Sequence, residues 1–123
     1  MAKKCNDLVM DAALDYIAAC DRLFVCSAEP SSYSDAATAV DLATETLTSG
    51  DFTKANGDTS GRKVTVAEQA AITVDHTGTA THIALGKSGT SELTYVTTCT
   101  SQALTAGNTV TVPAWDVEIA DPS

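Results

Sequence analysis

The chain begins with a helical period and then changes to a strand period. Met10, Ala13, Leu14 and Ile17 recur at i, i+3, i+4 and i+7, which gathers them on one face of an α-helix. Asn6 or Asp7 can cap that helix, running to about Ala19 or Cys20. Either side chain can accept from the free amides of the first turn, and the carboxylates of Asp7 and Asp11 oppose the dipole there. Asp7, Asp11 and Asp15 lie four apart on another face and are expected to face solvent. A helix this short is not stable alone, so its apolar stripe needs a sheet or another subunit to cover it.

Beyond the helix, Arg22–Cys26 reads as a short strand. Pro30 opens a polar stretch in which Ser34 or Asp35 can cap a short helical turn through Ala39, and Leu42–Leu47 is period-two. Turns then punctuate the chain at Ser49-Gly50-Asp51, Asn56-Gly57-Asp58, Gly61, Thr77-Gly78, Lys87-Ser88-Gly89 and Ala106-Gly107-Asn108. Between them lie strand candidates at Lys63–Ala67, Ala71–Asp75, Thr79–Leu85, Glu92–Thr98, Thr109–Val112 and Trp115–Ile119. Thr79, Thr81 and Ile83 alternate with Ala80, His82 and Ala84, and Val110 and Val112 with Thr109 and Thr111. Pro113 cannot donate to a ladder and marks an edge, a bulge or a break between the last two strands. The pattern predicts a mainly β fold, an antiparallel β-sandwich or small barrel with one N-terminal α-helix.

Composition sets the scale. At 123 residues the chain is expected to be a single domain, since two cores would each be too small. Its parts are the helical region 1–21, a strand and loop region 22–60, a β core 61–120 and a tail 121–123. Aromatics make up only 5% of the residues, so aliphatic side chains and nineteen threonines must furnish the sheets. Thr is β-branched and suits a half-wet sheet face.

The formal net charge of −9 argues against nucleic acid, whose phosphates need a basic stripe. It equally disfavours an anionic membrane surface, and no run of 18 apolar residues is present to cross a bilayer. Lys3 and Lys4 lead into a mixed amphipathic stretch unlike a signal peptide, so synthesis in a cytoplasm is expected.

Four cysteines, Cys5, Cys20, Cys26 and Cys99, lack the close CxxC pairing of a zinc site. Reduced thiols acting as small hydrophobes are the first expectation, and a disulfide within or between chains is the alternative.

Residues able to do chemistry are few. His76 lies in a turn and His82 on a strand of threonines. Asp75 adjoins His76, but sequence neighbours on a strand point to opposite faces. No GxSxG elbow, P-loop or dinucleotide fingerprint occurs. Asn56–Gly61 lacks the alternating acids and terminal Glu of a calcium loop. Asp116 and Glu118 share one strand face, the expected wet side opposite Trp115, Val117 and Ile119. Trp115 is expected to anchor a core or an interface. No catalytic residue, metal site or cofactor is expected.

Four segments together carry a resemblance: Gly61–Ala67, Thr77–Leu85 (TGTATHIAL), Leu93–Thr98 (LTYVTT) and Pro113–Ile119 (PAWDVEI). The chain resembles small structural proteins of tailed-bacteriophage virions, over most of its length. Their best-fitting type is the capsid decoration (cement) protein. The resemblance implies a symmetric oligomer, expected to be a homotrimer, bound to the major capsid protein on the outer surface of the head after synthesis in the host cytoplasm. Met10, Leu14, Ile17, Phe24 and Trp115 then become candidates for intersubunit or core burial. A released particle meets an oxidising medium in which crosslinks persist, and Cys5 is the foremost candidate for an interchain bridge. A tail or neck component, collar or fibre base, fits the same strands. A carbohydrate-binding β module is a further alternative and would use Tyr33, Tyr95 or Trp115 as its platform.

Overall fold

The computed structural model describes residues 5–121. Helix α1 spans Asp7–Ala18, and Asn6 caps it by accepting from the Leu8 amide at 2.7 Å. Met10 and Leu14 are buried, Ile17 is half-buried, and Ala13, expected on the same face, is exposed.

Strand β1 (Arg22–Cys26) follows, as its sequence predicts. A single π-helical turn, Asp35–Ala39, comes next and closes with the Val40 amide donating to the Asp35 carbonyl. Ser34 does not cap it through its side chain; Ser32 Oγ accepts the Asp35 amide instead. Then come β2 (Asp41–Thr46), β3 (Phe52–Asn56), β4 (Arg62–Val66), β5 (Gln69–Thr73), β6 (Gly78–Lys87), β7 (Glu92–Leu104), β8 (Thr109–Val112) and β9 (Trp115–Ile119). A capping box between Thr48 and Asp51 shapes the short 3-10 turn Ser49–Asp51 that leads into β3.

Every pairing is antiparallel. One sheet runs β2-β1-β6-β7, a second β3-β4-β9, and β5 pairs with β8. A bridge between Ala43 and Val74 stitches the β5 end to the first sheet. The fold is mainly β with one N-terminal helix, its antiparallel sheets packed together.

Strand β1 is buried on both faces. Leu23 and Val25 join Ile83, Leu85, Val110 and Val112 in the main core. Phe24, Cys26 and Ala84 face the other way, under Ala36, Tyr33 and Val40 of the loop that carries the π turn. Tyr33 meets Phe24 edge-on with ring centroids 5.4 Å apart. A third cluster sets Leu14 of α1 against Val64 and Val117 on the 3-stranded sheet. The acidic helix face does not simply meet solvent as expected. Asp11 bonds Arg62 at 2.8 Å and Asp15 bonds Lys54 at 2.6 Å, because the helix lies across the sheet that carries those cations.

Strict alternation fails at three places, each at a register shift, one of them between the buried Gln69 and Ile72 of β5. On β6, Ala80 and Ile83 enter the same core although three residues apart, beside the shift between Ala80 and His82 at which β7 carries the extra residues. On β2, the adjacent Leu42 and Ala43 are both buried, beside the shift at Val25/Cys26. A bulge changes which face each later side chain occupies.

Leu14 is wholly buried between helix and sheet. Leu14→Ala is expected to lower the unfolding free energy by about 2–5 kcal/mol in urea titrations. A loss below about 0.5 kcal/mol would mean that α1 is not docked on the 3-stranded sheet.

Candidate functional site

His76 lies between β5 and β6, with Nδ1 3.0 Å from the Asp41 carbonyl oxygen and 4.0 Å from Asp41 Oδ2. The carboxylate of Asp41 is buried at the start of β2 and accepts from Thr44 Oγ1 at 3.0 Å. Burial pushes the Asp41 carboxyl above its ordinary range; Thr44 opposes this, Asp75 adds to it and the nearby imidazole opposes it. Sequence reading missed Asp41 as the neighbour of His76, because 35 residues separate them and only the contact between the β5–β6 loop and β2 joins them.

Cys26 is the ladder partner of Asp41. Burial, reinforced by the Asp41 and Asp35 carboxylates, leaves its thiol pushed up to about 12. It is fully buried and protonated at neutral pH, so it cannot serve as a nucleophile. His82 Nδ1 is within 2.8 Å of Thr81 Oγ1. Among the described residues, no group of three or more His, Cys, Asp and Glu side chains converges as a metal ligand set.

Asp116 and Glu118 lie on the wet face of β9, opposite Val117. Asp116 accepts from Thr65 Oγ1 at 2.7 Å and from Lys63 Nζ at 3.3 Å, and those two donors hold its carboxyl below the usual range. Lys63 also reaches Asp58 at 2.7 Å, and Glu118 accepts the Asp58 backbone amide at 2.6 Å. These carboxylates tie the Asn56–Gly61 turn to the sheet. Gly61 sits at φ +71°, where an added Cβ would collide with the Ile119 carbonyl. This is a structural clasp, built of exposed ion pairs worth about 0–1 kcal/mol each.

The same pairing extends over the molecule. Arg22, Lys54, Arg62, Lys63 and Lys87 are all of the described Lys and Arg residues, and each lies within 4.0 Å of a carboxylate of its own chain. Carboxylates left over, Glu29, Glu45 and Glu68 among them, therefore set the field outside.

Met10, Leu14 and Phe24 lie in this chain's own cores, and Ile17 and Trp115 are half-buried against them. Trp115 stacks on Tyr95 with centroids 5.9 Å apart. Among the described residues the exposed large hydrophobics are instead Leu8, Val9 and Tyr16, on the outer side of α1. Tyr16 is held by Glu92 at 2.7 Å and lies under the Lys87 ammonium. None of the four cysteines is bonded within the chain; Cys20 and Cys26 are buried, while Cys5 and Cys99 are half-buried.

The Asp41 carboxyl titrates above its unfolded value, so the folded state holds the proton more tightly and stability falls as pH rises through that window. Asp41→Asn is expected to raise the melting temperature at neutral pH and to flatten this part of the pH profile; a lower melting temperature at neutral pH contradicts it. With a water-soluble disulfide reagent at about pH 8, Cys5 and Cys99 are expected to react in the folded protein. Cys20 and Cys26 are expected to react only after denaturation. Four fast-reacting thiols before denaturation would contradict the burial of β1.

No protein-family model, curated protein or solved structure matches the chain at a significant level.

Proposed function

We propose that this chain is a non-enzymatic structural protein of a tailed-bacteriophage virion, and specifically a capsid decoration (cement) protein that binds the head shell as a symmetric oligomer and stabilises it. The observation that carries this reading is where the resembling segments fall. Thr77–Leu85 and Leu93–Thr98 belong to the two longest strands, β6 and β7, paired to each other. Gly61–Ala67 and Pro113–Ile119 contain β4 and β9, also paired. The shared residues build sheets, as expected of a protein whose task is mechanical.

Charge favours a place away from the packaged DNA, such as the outside of a head. With every described cation neutralised at home, the chain repels packaged DNA and suits a basic patch on a shell protein. A carbohydrate platform gains little support: Tyr95 and Trp115 stack on each other and Tyr33 packs on Phe24.

Light scattering of the purified protein is expected to give a symmetric oligomer, a homotrimer, that co-sediments with heads lacking it and raises their thermal stability. A persistent monomer at high concentration that ignores heads would sink the proposal.

A further inference from the structure

The first sheet ends at β7, whose outer edge has no ladder partner among the described residues. Beside that edge runs a groove made of two adjoining cavities, about 320 Å³ and about 280 Å³, which share Ile83, Cys99, Val112 and Pro113. Thr97 to Gln102 of β7 form one wall and Val110 to Asp116 the other, over a floor that includes Val25 and Ala80. The six residues Thr97–Gln102 span about 20 Å of strand.

Edges of this kind are normally blunted by charge or proline. Here Leu93 through Trp115 contains no charged residue at all, in a chain that is 19% charged. Its one proline, Pro113, stands on the opposite wall, where it has no amide to donate. Trp115 lines the groove and is half-buried, stacked on Tyr95. A backbone edge and an apolar floor are what a docked β-strand uses: main-chain bonds for affinity and pockets for alternate side chains.

We propose that this groove receives an extended segment of another polypeptide, apolar at alternate positions and flanked by lysine or arginine, which adds to the free edge of β7. The flanking cations follow from charge complementarity. The walls are neutral up to Asp116, which Lys63 already pairs, and exposed Glu68 precedes Gln69, the ladder partner of Val112. The molecule beyond carries net −9 with each described cation already paired. A second copy of this chain carries the wrong charge for the site. The inference does not depend on the virion reading, since any basic partner with a free extended segment meets its requirements.

The test uses the intact protein and a fluorescent synthetic peptide of Thr-Val repeats with a lysine pair at each end. Saturable binding is expected by anisotropy, weakened about tenfold or more when the valines become prolines, and equally weakened by Cys99→Trp, which fills the groove. Should that variant fail to fold, hydrogen exchange on the unaltered protein decides: the peptide is expected to slow exchange within Thr97–Gln102. Equal affinity for the proline peptide, no saturable binding, or protection confined to other elements would overturn the proposal. So would self-association through β7 in the absence of peptide.

Discussion

Strand β1 carries apolar side chains on both of its faces, and water must be kept from each. Leu23 and Val25 point to one side, Phe24 and Cys26 to the other, and none is more than 2% exposed. Burying side chains of this kind is worth about 1.5–3 kcal/mol each, so β1 can only be a central strand with two covers. The larger cover is the joint core formed with the 3-stranded sheet and the β5–β8 pair. The smaller is the 27–40 loop, whose π turn brings Ala36 down onto Phe24 and Ala84. Tyr33 completes that cover and lies so close to Gly86 that a side chain there would strike its ring.

The helix obeys a related constraint. Met10 and Leu14 supply the packing, and the flanking ion pairs to Arg62 and Lys54 supply register. Ion pairs near the surface contribute less than the burial of one leucine, so packing holds the helix and charge aligns it. The larger consequence of the ion pairs lies outside the fold. By consuming every described cation, they leave unpaired carboxylates outside, beside an uncharged region along β7 and β8. The cement role and the strand-accepting groove proposed above would both draw on that contrast, the acid field attracting a basic partner and the neutral edge offering it main-chain bonds.

Much of the fold was legible. Strands β1, β8 and β9 match their expected limits, and α1 matches within two residues, because each has clear capping or punctuation and a clean period. Strand β3 was missed because Phe52-Thr53-Lys54-Ala55-Asn56 has one large apolar residue and turn residues on both sides. Strand β7 continues to Leu104, six residues beyond the expected Thr98. Its second half, Thr98-Cys99-Thr100-Ser101-Gln102, is too polar to read as a strand until β6 lies beside it. The uncharged run that forms the groove walls was visible in the sequence, but its meaning depends on the two walls facing each other.

By itself the sequence determined the periods, the caps, the turns and the excess of acid, because these depend on near neighbours and on counts. Only the tertiary structure decided which apolar faces meet. It placed Met10 and Leu14 in the chain's own core, brought Asp41 to His76, paired the cations and left the edge of β7 open. Those outcomes rest on contacts between residues far apart in the chain and on bulges that turn a strand's face. A bulge shifts every later side chain by one position, and no local period records it.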